Sequence, residues 1–208
     1  MSCAFDFYFA RSGNSLRAAI ALELSGQMFN KHKIDMSQKA HKSEAFLNIN
    51  PAGHVPVLVI TKPDGRATLP QSGAIMEYLF RQFCPDLIPK DEIARARCNA
   101  VFIAALSDVA MQNAFARYLS SHRDVVQFIF SRMLSDLRAL FEPVKKTPYL
   151  CGYSPTIADY AHFPVIYMRA LQFSKLEGLT HVLDWLDRMS ADAAVARATS
   201  YCGLQLEA

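Results

Sequence analysis

The first eighty residues alternate between short apolar runs, which are typical of strands, and segments with the 3.6-residue repeat of an amphipathic helix. The apolar runs predict strands at residues 5–9, 28–34, 57–60 and 66–69. The helical repeats predict helices at residues 15–25, 43–48 and 71–83. Lys62-Pro63-Asp64-Gly65 lies between the last two strands and predicts a hairpin turn.

The order strand, helix, strand, helix, hairpin, helix predicts a thioredoxin-like α/β domain over residues 1–83. Residues 84–89 contain two prolines and no periodicity, and we interpret them as a linker. Helical repeats dominate the rest of the chain, with helices predicted at residues 91–119, 123–144, 156–173 and 181–189. Residues 90–208 are therefore predicted to form an all-α C-terminal domain.

Composition narrows the possible functions. A formal charge of +3 over 208 residues, with no basic cluster longer than Lys145-Lys146, does not indicate a nucleic-acid-binding surface. No apolar run is long enough to cross a membrane, and no secretory leader is visible. The five cysteines are widely spaced and odd in number, which favours a reducing, cytoplasmic location over a disulfide framework. The cysteines are Cys3, Cys84, Cys98, Cys151 and Cys202.

The segment Asn50-Pro51-Ala52-Gly53-His54-Val55-Pro56 precedes a strand-like apolar run. Pro56 cannot donate a ladder hydrogen bond, so it belongs at the start or the edge of a strand. If the Val55–Pro56 peptide bond is cis, the main-chain N–H and C=O of Val55 could face an extended peptide ligand.

A second motif, Thr156-Ile157-Ala158-Asp159, predicts a capping box at the start of a helix. The Thr156 hydroxyl would accept a hydrogen bond from the Asp159 N–H, and the Asp159 carboxylate would accept one from the Thr156 N–H. The expected role of both residues is structural.

Together with Gln71-Ser72, these motifs resemble the cytosolic glutathione S-transferase superfamily, in its bacterial types, from Phe5 to about Ala198. Two segments, 17–22 and 71–75, are similar to the zeta class. The resemblance implies a homodimeric detoxification enzyme that uses glutathione as co-substrate. The implied reaction is transfer of the glutathione thiolate to a small hydrophobic electrophile.

The resemblance places the thiolate donor among Ser12, Asn14 and Ser15, between the first strand and the first helix. Related enzymes carry a catalytic serine near Ser12, or a cysteine at the position of Asn14. A disulfide-reducing bacterial class carries a hydroxyl and an asparagine at these two positions. Alternatively, the two serines only cap the helix.

The resemblance also implies that Gln71 and Ser72 hold the γ-glutamyl end of glutathione at a helix N-terminus. Val55 and Pro56 would then present main-chain groups to the cysteinyl residue. The glycyl carboxylate would meet His54, Lys39 or His41.

Met111, Phe115 and Tyr118 lie at helical spacing and are candidates for a hydrophobic substrate pocket, although such a stripe is more often part of a core. The six histidines have no metal-ligand spacing, so we expect no metal.

Three alternative functions remain open. A maleylacetoacetate isomerase of the zeta class would usually carry a paired serine and cysteine where this chain has Ser12-Gly13-Asn14, and an arginine where it has Ala170, next to Arg169. A disulfide-bond reductase is a further alternative. A non-catalytic binding module with the same fold is the third.

Overall fold

The computed structural model describes residues 5–204 and residue 206, so Cys3 lies outside the described residues. The chain forms two compact units. The first unit runs to Pro85 and also includes Ala193–Leu204, whereas the second contains Asp86–Asp192. The first unit is built on a mixed sheet and the second is helical, which confirms the predicted fold class.

Four strands form the sheet of the first unit in the order β2-β1-β3-β4. They span Phe5–Phe9 (β1), Phe29–Lys33 (β2), Val57–Lys62 (β3) and Gly65–Pro70 (β4). β1 is parallel to β2 and antiparallel to β3, and β3 pairs with β4 as the predicted hairpin. Val57, Leu58, Val59 and Ile60 are all buried, because β3 is a central strand with both faces covered.

Helices cover both faces of this sheet. α1 (Gly13–Ser25) packs against α3 (Ser72–Phe83), and α3 also contacts β3 and β4. The short α2 (Glu44–Leu47) contributes Phe46 to an apolar cluster with Val57 and Val59. Both ends of each of these three helices lie within two residues of the predicted ends.

The last helix, α9 (Ala193–Cys202), was not predicted from the sequence. The domain boundaries predicted from the sequence place α9 in the C-terminal domain, whereas in the structure it packs against α1 of the first unit. Tyr201 packs edge-on against Phe9, and Arg197 forms a 2.7 Å ion pair with Glu23. The residues that α9 buries are small, so the hydrophobicity of its buried face differs little from that of its exposed face. The helical repeat of α9 is therefore weak in the sequence.

Among the described residues, the second unit contains five α-helices. They are α4 (Glu92–Ala104), α5 (Ala110–Tyr118), α6 (Arg123–Phe141), α7 (Ile157–Phe173) and α8 (Thr180–Ser190). A π-helical turn, Ala105–Val109, joins α4 to α5, so the single predicted helix over residues 91–119 changes its hydrogen-bonding pattern midway. α7 is buried almost throughout its first ten residues, as expected for the central helix of a bundle.

The fully buried carboxylate of Asp159 organises the start of α7. Its Oδ2 accepts hydrogen bonds from the N–H and the hydroxyl of Thr156, at 2.8 and 2.9 Å, and the capping box is present. Its Oδ1 accepts from the Leu150 N–H and the Trp185 indole N–H, both at 2.9 Å. Burial raises the pKa of Asp159, and these hydrogen bonds oppose that shift. One carboxylate thus ties α7 to α8 and to the preceding turn.

Within the described part of the chain, no helix has the length and apolar character needed to cross a membrane. The same residues contain no cluster of three or more His, Cys, Asp or Glu side chains able to hold a metal ion. Cys84, Cys98, Cys151 and Cys202 are free thiols.

We expect Asp159→Asn to lower the free energy of unfolding by about 3 kcal/mol. An amide keeps one acceptor oxygen and replaces the other with an NH2 group. Whichever way the amide turns, two buried donors lose their acceptor. Chemical denaturation monitored by circular dichroism and by Trp185 fluorescence would measure the loss.

Asp187→Asn is the matched control, because Asp187 is exposed on α8 and its substitution should change the free energy of unfolding by less than about 0.5 kcal/mol. Equal stability of the Asp159→Asn variant and the wild type would contradict the organising role of this carboxylate.

Candidate functional site

Strand register brings three of the predicted glutathione-site segments, around residues 12–15, 54–56 and 71–72, to one end of the sheet. Tyr8 near the end of β1 pairs with Val57 at the start of β3, and Val57 pairs with Pro70 at the end of β4. The segments that follow β1, precede β3 and follow β4 therefore emerge side by side. β2 also ends at this edge, because Phe9 pairs with Lys33. The candidate residues of the first unit all lie in these four connections.

Ser12 and Ser15 form a hydrogen-bonded pair at the start of α1. Ser12 is the N-cap, with its Oγ accepting from the Ser15 N–H at 3.2 Å. The Ser12 hydroxyl donates to Ser15 Oγ at 3.0 Å, and the Ala10 N–H donates to the same oxygen at 3.1 Å. Ser15 is fully buried, whereas Ser12 is only partly covered. Of the two predicted hydroxyl donors, Ser12 is the one that a ligand can reach.

Asn14 is exposed in the first turn of α1, where the helix dipole is positive. Its Oδ1 accepts a 2.6 Å hydrogen bond from Nη1 of Arg17, whose side chain is almost completely buried. Burial lowers the pKa of Arg17 to about 10, so the guanidinium remains charged at neutral pH. A buried cation therefore lies just behind the exposed amide.

The turn before β3 holds Val55 and Pro56. Their peptide bond is cis, and Val55 lies ahead of the first ladder pair of β3, so its main-chain groups are outside the sheet hydrogen bonding. The buried Asn50 amide spans the turn, donating to the His54 carbonyl at 2.8 Å and accepting from the Ala52 N–H at 3.3 Å. The imidazole of His54 is left exposed.

The segment after β2 approaches this turn closely. Lys39 adopts a left-handed conformation with φ of 52°, and the turn Ala40–Lys42 follows it. A Cβ added to Gly53 would lie 2.8 Å from the carbonyl oxygen of His41, so only glycine fits against this segment. Nδ1 of His41 is buried without a hydrogen-bond partner.

Gln71 and Ser72 begin α3. Gln71 has a φ of 72°, an uncommon value for a residue other than glycine, and no side chain caps the helix at this position. Ser72 is buried at the first helical position. The first N–H groups of α3 are thus not occupied by a capping side chain and are suited to hold an anion.

The three apolar candidates lie on one face of α5 in the second unit. Met111, Phe115 and Tyr118 are 46%, 47% and 84% exposed. They are surface residues of that unit and not part of its core.

Three residues of the site were not assigned from the sequence. Arg17 donates a hydrogen bond to Asn14, Asn50 spans the turn, and Gly53 allows the close approach of residue 41. Asn14 comes just before the predicted helix 15–25 and Arg17 lies within it, and their three-residue spacing could have indicated their contact. The positions of Asn50 and Gly53 inside the Val55–Pro56 motif gave no comparable signal, because their partners come from the folded turn.

Comparison with known proteins identifies two matching family models. The model of the glutathione S-transferase N-terminal domain matches residues 11–82, and that of the C-terminal domain matches residues 106–193. The chain is 31% identical over 174 residues to a maleylacetoacetate isomerase of Rhizobium meliloti, covering 78% of this chain and 79% of that protein. It is 30% identical over 188 residues to glutathione S-transferase 1 of Zea mays, covering 84% and 85%.

Solved structures share the fold over nearly the whole chain. A glutathione transferase family member from Pseudomonas fluorescens, crystallised with two glutathione bound, has a TM-score of 0.84 and 19% identity, covering 93% of this chain and 91% of that chain. A glutathione S-transferase from Xanthobacter autotrophicus has a TM-score of 0.74 and 28% identity, covering 91% and 94%.

We expect Gly53→Ala to lower the free energy of unfolding by about 3 kcal/mol, because a methyl group would collide with the main chain at His41 in addition to straining the left-handed backbone. Urea denaturation would measure this loss.

Gly26→Ala is the matched control. Gly26 has a nearly identical φ, 64° against 62°, but a Cβ there would meet no atom within 4 Å. Its substitution should cost only about 1 kcal/mol, the penalty for the left-handed backbone alone. Equal losses in the two variants would show that the contact with residue 41 does not restrict position 53.

Proposed function

Because this chain belongs to the glutathione S-transferase family, we propose that it binds glutathione, stabilises the thiolate and transfers it to a small hydrophobic electrophile. The observation that carries this proposal is the convergence of three connections at one end of the sheet. The start of α3 would bind the carboxylate of the ligand, and the turn before β3 would pair with its peptide backbone. The start of α1 would meet its sulfur.

The γ-glutamyl end of glutathione is assigned to Gln71 and Ser72. Its carboxylate would accept hydrogen bonds from the Ser72 hydroxyl and from the first N–H groups of α3, with support from the helix dipole. The Gln71 side-chain carbonyl would accept from the ammonium group. The positive φ of Gln71 supports this role, since such conformations concentrate at ligand-binding positions.

The cysteinyl residue of glutathione is assigned to Val55. Its N–H and C=O lie outside the ladder, so the ligand backbone can pair with them as a short antiparallel strand. Pro56 is buried and fixes the chain direction at this position.

The glycyl carboxylate is assigned to Lys39, His41 and His54. Lys39 supplies a positive charge, and both imidazoles can donate a hydrogen bond. His54 adjoins Val55, and the close approach at Gly53 brings the segment of His41 beside the same turn.

The sulfur is assigned to Ser12 and Asn14 at the N-terminus of α1. Lowering a thiol pKa by two units requires about 2.7 kcal/mol of preferential stabilisation of the thiolate. A hydroxyl donor, an amide donor and the helix dipole together supply energy of this size. The Ser12 hydroxyl can rotate from Ser15 to the sulfur, because Ser15 Oγ keeps its hydrogen bond from Ala10. Ser15 would then support the turn without touching the ligand.

The electrophile is assigned to the helical unit, where Met111, Phe115 and Tyr118 are exposed at helical spacing on α5. Holding the thiolate and the electrophile together would supply much of the rate through proximity. We further propose that the enzyme acts in the cytoplasm as a homodimer, a state that sedimentation analysis would test.

Maleylacetoacetate isomerisation is the second candidate, and the 31% identity to an isomerase favours it. Two features count against it. This chain has Ser12-Gly13-Asn14 where that class usually has a paired serine and cysteine. Arg169 is 8% exposed, and its Nε donates to Asn113 at 2.8 Å within the second unit, an arrangement that engages it in the helical core. Activity on maleylacetoacetate without activity on aromatic electrophiles would favour the isomerase.

Calorimetric titration with glutathione, followed by ultraviolet titration of the bound thiol, tests the proposal. We expect binding and a thiol pKa clearly below the ordinary value of about 8.5. With an aromatic halide as electrophile, kcat/KM should rise with pH and level off above the pKa of the bound thiol. Absence of glutathione binding would overturn the proposal. Binding without turnover on an aromatic halide, maleylacetoacetate or a mixed disulfide would identify a non-catalytic module.

We expect Ser12→Ala and Asn14→Ala each to raise the pKa of the bound thiol by about one unit, since each removes one donor to the anion. The rising limb of the pH profile should move to higher pH, and kcat/KM at pH 6 should fall roughly tenfold. Ser15→Ala should instead lower stability, because the buried Ala10 N–H and the Ser12 hydroxyl lose their acceptor. A thiol pKa unchanged in both donor variants would move the role to another residue.

A further inference from the structure

Arg17 is a nearly fully buried arginine in the first half of α1, with 1% of its surface exposed. Arginine is rarely buried to this extent unless its guanidinium is paired. Side chains in an α-helix point back toward the N-terminus, so Arg17 reaches the preceding turn and meets Asn14. Its Nη1 lies 2.6 Å from Asn14 Oδ1.

This contact determines how the Asn14 amide is turned. The guanidinium has only donors, so the Asn14 atom that faces it must be the carbonyl oxygen. The NH2 group is therefore directed away from Arg17. Asn14 is itself exposed, so its NH2 group is available to a ligand at the start of α1.

An unrestrained carboxamide can present either its oxygen or its NH2 group to a ligand. Presenting the oxygen to a thiolate would be repulsive, whereas presenting the NH2 group stabilises the anion. The hydrogen bond from a charged guanidinium also polarises the amide and makes its N–H a stronger donor.

We propose that Arg17 is a positioning residue that locks the Asn14 carboxamide with its NH2 group toward the ligand, so that Asn14 donates to the glutathione sulfur. The proposal rests on the proposed function and assigns a role that the sequence did not give to Arg17. Arg17 does not touch the sulfur but acts through Asn14.

A double-mutant cycle measures this dependence on the pKa of bound glutathione, determined by ultraviolet titration. The variants are Arg17→Met, Asn14→Ala and the combination of the two. We expect each single substitution to raise the thiol pKa by a similar amount, about one unit. The double variant should match Asn14→Ala, because Arg17 has no amide left to orient. Additive shifts, or no shift in Arg17→Met, would overturn the proposal.

Ser25→Ala is the control for simple destabilisation of α1. Ser25 is buried in the same helix, and its hydroxyl donates to the Leu22 carbonyl at 2.6 Å, far from the helix start. This variant should lower the melting temperature without changing the thiol pKa. A thiol pKa raised as much in Ser25→Ala as in Arg17→Met would reduce Arg17 to a structural role.

Two further variants decide the matter if Arg17→Met does not fold. Arg17→Lys keeps a cationic donor for the Asn14 oxygen and should retain the wild-type thiol pKa. Asn14→Asp keeps the contact with Arg17 but has no NH2 group, so it should raise the thiol pKa. A wild-type pKa in Asn14→Asp would overturn the proposal.

The failure of the proposed function is distinguishable in the same experiment. If wild-type protein does not bind glutathione, the proposed function fails before the cycle begins. If wild-type protein binds glutathione and lowers the thiol pKa while the Arg17 and Asn14 variants behave like wild type, the roles of Arg17 and Asn14 fail and the proposed glutathione-binding function stands.

Discussion

The antiparallel register of β3 between β1 and β4 is the constraint on which the candidate site depends. Because Tyr8, Val57 and Pro70 lie side by side, the chain leaves β1, enters β3 and leaves β4 at one edge. Residues far apart in the sequence thereby surround one space. A slip of one residue in β3 would turn its apolar side chains to the opposite faces and disrupt the apolar cluster around Phe46. The packing of the core and the geometry of the site are thus fixed by the same pairing.

At the start of α1, buried side chains hold the local structure in place, and exposed side chains are the hydrogen-bond donors available to a ligand. Ser15 and Arg17 are buried and keep the turn and the amide in place, whereas Ser12 and Asn14 are accessible from outside. Buried polar groups need partners, and a network in which each one has them is rigid. A rigid arrangement of donors favours an anion that arrives in one fixed position, because little reorganisation is needed when it binds.

Backbone conformation distinguishes the ligand-facing connections from the rest of the first unit. Lys39 and Gln71 are the positive-φ residues other than glycine among the described residues, and both lie at this end of the sheet. Such conformations cost roughly 1–3 kcal/mol each and persist only where the surrounding structure holds them. In the neighbouring turn, the Asn50 amide binds the His54 carbonyl, and Gly53 lies close to the main chain at His41.

The sequence by itself determined the features that depend on neighbours along the chain. A short apolar run predicted β1, helical repeats predicted α3 and α7, and the three-residue spacing of Thr156 and Asp159 predicted the capping box. Motif resemblance added the family and the Val55–Pro56 turn. The tertiary structure alone decided that α9 joins the first unit, where Arg197 contacts Glu23, 174 residues earlier in the chain. It also decided that Ser15 is buried while Ser12 is accessible, and that the Trp185 indole donates to the Asp159 carboxylate. Local periodicity fixes which face of an element is apolar. Tertiary packing decides which of these apolar faces come into contact, because elements distant in the sequence must bury them together. The same packing decides which polar groups become buried and must form hydrogen bonds.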